Sequence, residues 1–479
     1  MKTVSYRPRS ERKKILLIAD DIRSTSGVGN VAKDIVTHTS EYFDWVNIAG
    51  AVNHPDKGKK IDISDAFEKE LGLKDIYCMI YPVDGYGNPQ LLRQIIRIEN
   101  PDAILFITDP RYFTWLFNME RELRKDIPLI YLNIWDDWPA PQYNESFYES
   151  CDGLFAISKQ TKLINEVVLG DKSKNKTLKY IPHGVNSNFF YSKTESDKDY
   201  KDYIKYKKHL LGREYDFTML FNSRNMRRKQ LPDAMTAFRI FLDQLPKAEA
   251  EKCAFICHTE ISSEHGTNLE AVREYLFGGK YDHNIKFSTH RLPPSNMHWL
   301  YNIADIQIQL SSNEGWGLAL TEALLCETPF IATVTGGMQD QMGFIDKKGN
   351  WYTPTIDQPS NHYGTLKEHG GWSYPIYPTS ISLQGSPQTP YIFDDRIDVR
   401  DAAKAIMNAY KNRKQLKNMG KKGREWAMSE EIGFTSEIMS KRMLNGIDEV
   451  LDTFKVRENY EVINSLQYEP QRLRHPLIY

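Results

Sequence analysis

Twice along this chain, short runs of consecutive apolar residues alternate with longer amphipathic stretches, and the rhythm pauses once between the two passes. "KILLIAD", "WVNIAG", "IYCMIY", "AILFITD", "PLIYLNIW", "GLFAIS" and "LKYIPHG" read as strands of the first pass, with helical patterns such as "NVAKDIVTHTS" and "PQLLRQIIRIEN" between several of them. Strands that are apolar on both faces and separated by helices build parallel sheets covered on both sides. After the polar stretch "YSKTESDKDYKDYIKYKKHLLGREY" the pattern restarts with "DFTMLFNS", "CAFICH", "IKFST", "ADIQIQL" and "PFIATV". A chain of 479 residues is in any case long for one core. The expectation is two doubly wound α/β domains facing one another across a cleft, with ligands at the carboxyl ends of the strands.

Two segments break the rhythm. Residues 343 to 395 are rich in Pro, Gly, Ser and aromatics and have little periodicity, which predicts a functional insertion or lid, or else a surface excursion. Its Trp351, Tyr352, Tyr363, Trp372, Tyr374 and Tyr377 would suit sugar rings or bases. The tail carries a helical run, "FTSEIMSKRMLNGIDEVLDTF", and then "SLQYEPQRLRHPLIY". The longest apolar runs fall far short of the ~20 residues of a spanning helix. The basic start "MKTVSYRPRSERKK" meets a strand rather than a secretory core. Five scattered cysteines suit a reducing compartment, so a cytoplasmic protein is expected. Cys253, Cys257 and His258 lie together in "CAFICH" but lack further ligands nearby for a metal site. A net charge of −1 supplies no global field toward nucleic acid.

The chemistry concentrates in "SSNEGWGLALTEALLCETPFIATVTGG", residues 311 to 337. The strand "ADIQIQLSS" leads into the turn "NEGWG" and then into a helix whose first amides point into that turn. Free N–H groups at the positive end of a helix suit a phosphate. Glu314 stands in the loop beside that point and Glu322 one to two turns inside the helix. Carboxylates accept hydrogen bonds from paired hydroxyls, so the pair suits a ligand with sugars on both sides of a phosphate, as in a nucleotide sugar. A capping acid at 314 and a solvated acid at 322 would fit the same spacing.

A second signal is "LFNSRNMRRKQLPDAMTAF", residues 220 to 238, which starts at the end of the first strand of the second domain and leads into a helix near Leu231. Arg224 and Lys229 would emerge at the carboxyl edge of the sheet, where cations neutralise a diphosphate, and Arg227 and Arg228 enlarge the patch. A plain basic loop would look alike.

Together the two stretches resemble the retaining glycosyltransferases of family 4, with their E-x7-E signature and their Arg and Lys donor-phosphate motif. "TSGVGN" (25 to 30) is similar to the family's Gly-rich loop, "IPHGVNSNFF" (181 to 190) to its element closing the N-terminal domain, and "GGMQD" (336 to 340) to its GGxxE loop. The resemblance implies a GT-B fold of two Rossmann-like domains. The implied acceptor domain spans 1–195, the nucleotide-sugar donor domain spans 196–430 with 343–395 as an insertion, and 431–479 forms a helix and tail returning to the first domain. It implies a hexosyl- or pentosyltransferase that takes a UDP- or GDP-linked sugar, retains anomeric configuration and needs neither cofactor nor metal. By the same resemblance Glu322 holds the ribose, Glu314 the transferred sugar, and Arg224 and Lys229 the diphosphate. Gly27 allows close approach, and Gly315, Trp316, Gly317 and Leu318 border the donor.

The chain also departs from that pattern. "PLIYLNIWDDWPAP" lacks the family's usual histidine, and Asp136, beside Trp135 and Asp137, is the residue expected in its place. Ser26, His183 and Asp340 stand where the family has Gly, Asn and Glu, and 343–395 has no counterpart. The expected acceptor is a glycan or lipid-linked saccharide. A hydroxymethylated DNA base is the alternative acceptor, suggested by the basic clusters "YRPRSERKK", "RNMRRK" and "QRLRHP", and a non-catalytic nucleotide-sugar-binding module is the alternative from another class.

Overall fold

The computed structural model describes residues 7–51 and 53–456, so the end of the tail, with "QRLRHP", lies outside the described residues. The first sheet contains β1 (Lys13–Asp20), β2 (Phe43–Gly50), β3 (Ile61–Asp62), β4 (Cys78–Pro82), β5 (Ala103–Ile107), β6 (Leu129–Asn133), β7 (Gly153–Ala156) and β8 (Thr177–Tyr180). Their order is β3-β4-β2-β1-β5-β6-β7-β8, and all pairings are parallel except that of β3 with β4. Ile15 to Ala19 have no exposed surface, as a strand covered on both faces requires.

The second sheet contains β9 (Phe217–Asn222), β10 (Cys253–His258), β11 (Ile285–Ser288), β12 (Ile306–Gln309), β13 (Phe330–Thr333) and β14 (Ser373–Ile376), in the order β11-β10-β9-β12-β13-β14 and parallel throughout. A hairpin of β15 (Ser380–Ser386) and β16 (Thr389–Arg396) follows. This is the expected pair of doubly wound domains. The helix Leu231–Asp243 begins where the basic stretch predicted it, with Pro232 in its first turn, where a missing N–H costs nothing.

The carboxyl ends of the two sheets meet. A Cβ on Gly315 would lie 2.7 Å from the Ile134 carbonyl, and one on Gly27 would lie 3.6 Å from Leu318 Cδ1. The helix Ser436–Thr453 crosses back to the first domain, as expected. Ser436 Oγ donates to Asp34 Oδ2 at 2.6 Å, and Gly153 and Gly446 leave room for Val450 and Phe155 to pack.

The segment 343–395 differs from an aromatic lid. Tyr352 and Trp372 are buried, Trp372 lies 4.7 Å from Trp426, and Trp351 packs edge-on to Trp426 and Phe434. These rings are core, because the segment also adds β14 to the edge of the second sheet beside β13. Tyr363 alone of the six stands well exposed. The hairpin reaches the first domain, where the Phe393 amide donates to the Trp138 carbonyl at 2.7 Å and Tyr143 Oη donates to the Tyr391 carbonyl at 2.9 Å.

Candidate functional site

The loop after β12 is held in shape by glycines. Gly336, at φ +45°, and Gly337 bring the TGG turn so close to the NEGWG loop that a Cβ on either would lie closer than 3.0 Å to its backbone. The Gly337 amide donates to the Glu314 carbonyl at 2.9 Å. Gly317 occupies the left-handed region at φ +86° and begins the helix Leu318–Leu325 with no side-chain cap, so the first amides of that helix have no side-chain acceptor of their own. Trp316 turns inward, donating from Nε1 to Thr321 at 3.0 Å with its ring 4.8 Å from Phe434. The main chain at 315–318, rather than the indole, therefore borders the turn.

Glu314 is buried and crowded by donors. Lys229 Nζ binds its carboxylate, Arg228 Nη1 donates to it at 3.1 Å and to the Asn313 carbonyl at 2.9 Å, and Ser311 Oγ donates to it at 3.1 Å. Burial opposes the charge, but the attraction of Lys229 and Arg228 outweighs it and holds the carboxyl at about 2. Burial, with Arg228 adding to it, pulls the Lys229 ammonium below its ordinary value. Asp136 faces the same group, with Oδ1 3.1 Å from where a Gly315 Cβ would stand, and burial raises its carboxyl against the pull of Arg228.

Glu322 behaves in the opposite way. It accepts from Tyr301 Oη and, at 3.4 Å, from Asn222 Nδ2 at the end of β9, and among the described residues no cation pairs with it. Burial pushes its carboxyl up to about 7. The two glutamates of the motif therefore sit in contrasting surroundings, one ionised and ion-paired and one near neutrality. Neither is a solvated helix acid or a plain cap.

The structure brings Lys229, Glu314 and Asp136 together, with Gly315 and Leu318 at the seam and Gly27 opposite Leu318. Arg224 stands apart and exposed, near enough to Glu260 to help hold that carboxyl down. Arg228, expected only to enlarge the patch, is the arginine on Glu314. Three arginines within five residues gave no means of ranking them. Tyr301, inside the helix His298–Ile303, and Asn222, at the end of β9, carry no sequence signal because each is an ordinary polar residue. Asp340 accepts from the Lys159 amide of the first domain at 2.9 Å, joining the domains beside the site. In the N-terminal basic cluster, Arg7 pairs with Asp448, Arg9 with Asp44 and Asp75, Lys13 with Asp102 and Lys14 with Glu99.

Residues 261–359 match the family described as glycosyl transferases group 1. No curated protein sequence matches the chain significantly. Among solved structures, HepE of Anabaena in complex with UDP and glucose is 14% identical with a TM-score of 0.60, covering 91% of this chain and 100% of that one. Sucrose-phosphate synthase of Thermosynechococcus elongatus is 15% identical with a TM-score of 0.62, covering 92% and 100%. The trehalose 6-phosphate synthase of Burkholderia multivorans is 11% identical with a TM-score of 0.61, covering 92% and 99%. The chain therefore has the two-domain GT-B fold of glycosyltransferases, and the part of it that holds Glu314 and Glu322 is similar to their group 1.

Proposed function

We propose that this protein transfers a hexosyl or pentosyl group from a UDP- or GDP-linked sugar to an acceptor hydroxyl, with retention of anomeric configuration. The observation that carries the reading is the contrast between Glu314, ion-paired with Lys229 and Arg228, and Glu322, which accepts from Tyr301 and Asn222, with an uncapped helix start between them. The similarity of residues 261–359 to glycosyl transferases group 1 supports it. So does the likeness in fold to HepE of Anabaena, a protein solved in complex with UDP and glucose.

In this reading Glu322 accepts the ribose hydroxyls and the amides after Gly317 meet the diphosphate. Lys229 and Arg228, with Arg224 at the rim, neutralise it, so the charge is met by side chains rather than by a metal at the phosphates. The bond from the anomeric carbon to the diphosphate oxygen breaks. That oxygen takes the proton of the acceptor hydroxyl, which attacks from the same face. Glu314, released from Lys229 and Arg228 as the diphosphate arrives, accepts hydroxyls of the transferred sugar, and Asp136 lies toward the acceptor. The first domain, 1–195, presents the acceptor, and 196–430 holds the donor. A glycan or lipid-linked saccharide is the acceptor class, since Arg7, Arg9, Lys13 and Lys14 of the N-terminal basic cluster are paired with carboxylates and Arg12 donates to backbone carbonyls. A cytoplasmic setting fits the free cysteines, and no helix among the described residues is long and apolar enough to cross a membrane.

The test is release of nucleoside diphosphate from UDP- and GDP-linked hexoses across a panel of glycan acceptors and hydroxymethylated DNA. Release that depends on a glycan supports the reading. Release with DNA alone moves the acceptor, and binding of donor without turnover on any acceptor refutes transfer.

A further inference from the structure

Behind the donor loops, three side chains far apart in the chain converge in the interior. Asp137 follows β6, His362 belongs to the stretch before β14, and Asp395 lies near the end of β16. Asp137 and Asp395 have no exposed surface and His362 has 4%. His362 Nε2 lies 3.2 Å from Asp395 Oδ2 and 3.7 Å from Asp137 Oδ1, and one ligand atom from each residue falls within 4.8 Å of the others.

These contacts are close without being hydrogen bonds. His362 Nε2 and both carboxylate oxygens of Asp395 are buried with no well-formed hydrogen bond, although Thr335 stands near enough to Asp395 to help hold its carboxyl down. Asp137 is partly satisfied, by Gln160 Nε2 at 2.7 Å and Thr335 Oγ1 at 3.3 Å. Each unpaired buried polar group costs about 1–3 kcal/mol, and a buried carboxylate costs more. Burial raises both carboxyls, with Asp136 adding to the rise at Asp137 and Asp137 to that at Asp395. An ion at the centre would satisfy all three groups at once. Ligands about 2.0–2.2 Å from a divalent metal stand roughly 3.0–3.5 Å from one another, close to the two spacings from His362 Nε2. Two carboxylates against a 2+ ion leave no net charge in the interior, and an imidazole in the set favours a first-row transition metal over Mg²⁺ or Ca²⁺.

We propose that Asp137, His362 and Asp395 bind one divalent first-row transition-metal ion, of the class of Zn²⁺ or Mn²⁺, which ties three separate segments together behind the donor site. The ties reach the donor loops, because the Asp395 amide donates to the Ser312 carbonyl at 2.8 Å and Gln230 Nε2 donates to the Asp395 carbonyl at 3.0 Å. None of the three residues has a role in the proposed transfer, so the two readings fail separately.

The experiment is metal analysis of the full chain as purified, after prolonged chelation, and after titration with Zn²⁺ or Mn²⁺, together with thermal unfolding and Co²⁺ absorption. One equivalent per chain is expected. Either ion should raise the melting temperature of the stripped protein by at least ~2 °C, with Mg²⁺ at the same concentration giving less. Co²⁺ should give visible bands that His362→Gln removes, and Asp395→Asn should lower the stoichiometry below half. Folded, chelator-treated wild type that takes up no Zn²⁺, Mn²⁺ or Co²⁺ at 100-fold excess would overturn the proposal, in favour of a proton shared by the two aspartates. Equal uptake by wild type and His362→Gln would also overturn it.

Discussion

Glu322 can be tested through its proton. Burial lifts its carboxyl from 4.5 to about 7, and the hydrogen bond from Tyr301 offsets only part of that. A carboxyl that accepts from two ribose hydroxyls must be ionised to use both oxygens as acceptors, so donor binding and deprotonation are linked. Below about pH 7, affinity for UDP-glucose should fall by up to about tenfold per pH unit, and above it affinity should level off. UDP-glucose is the probe because its esterified diphosphate lacks the secondary ionisation near pH 6 of a free phosphate. Glu322→Gln should bind more weakly at neutral pH and lose the slope. Calorimetry at about pH 6 in two buffers of different ionisation heat should detect close to one proton released per site in wild type and none in the variant. Folding has the opposite sign. A carboxyl pKa raised in the folded state means that the native protein keeps a proton which the unfolded chain gives up, so stability falls as pH rises from 4.5 through about 7. At about 1.4 kcal/mol per unit the loss is at most about 3.5 kcal/mol, and Glu322→Gln should remove that part of the pH dependence from urea unfolding. Parallel pH slopes in wild type and variant, for binding and for unfolding alike, would refute this account of Glu322.

If Lys229 stabilises the departing diphosphate as proposed, Lys229→Ala should lower kcat on the order of 10² or more, and an unchanged kcat in steady-state assays would assign Lys229 to packing alone. Glu314→Ala leaves buried Lys229 and half-buried Arg228 without their carboxylate, a loss of up to about 3–5 kcal/mol in similar cases, so the variant should melt earlier and UDP should then raise its melting temperature more than it raises that of wild type; a smaller rise would contradict the exchange of Glu314 for diphosphate. A Cβ at Gly336 would meet the Glu314 and Asp136 carbonyls closer than 3.0 Å at φ +45°, so Gly336→Ala should cost more than about 1 kcal/mol in denaturant unfolding, and a neutral effect would mean that the two loops are not interlocked.

What could be read in the sequence was what short-range pattern determines. Apolar runs marked β1, β2 and β5, the basic stretch led into a helix near Leu231, and the segment from Glu314 to Glu322 marked the turn between β12 and the helix Leu318–Leu325. β14 was not visible, because "SYPI" holds a proline and lies among glycines and aromatics; it pairs only with β13, at the sheet edge, where proline is tolerated. The rings around it were misjudged because composition cannot separate an aromatic that faces a sugar from one that fills a gap, and Trp351, Tyr352 and Trp372 fill one beside Trp426 or within the core. Arg224 and Arg228 differ only in which way a four-residue turn aims them. His362 and Asp395 are brought to Asp137 by the path of an aperiodic segment, and no spacing rule reaches from 137 to 395.

The hairpin also has a mechanical consequence. The chain passes between the domains at 185–195 and again at 429–435, and these crossings are joined where Val185 bridges Thr435 just beyond β8. A third attachment lies at Trp138 and Tyr143, beyond β6 and two strands away in the same sheet, where the hairpin is fastened to the first domain by Phe393 and Tyr391. Any opening of the two domains must therefore break contacts at several separated points, the one between Asp340 and Lys159 beside the site among them, rather than turn on a single pivot.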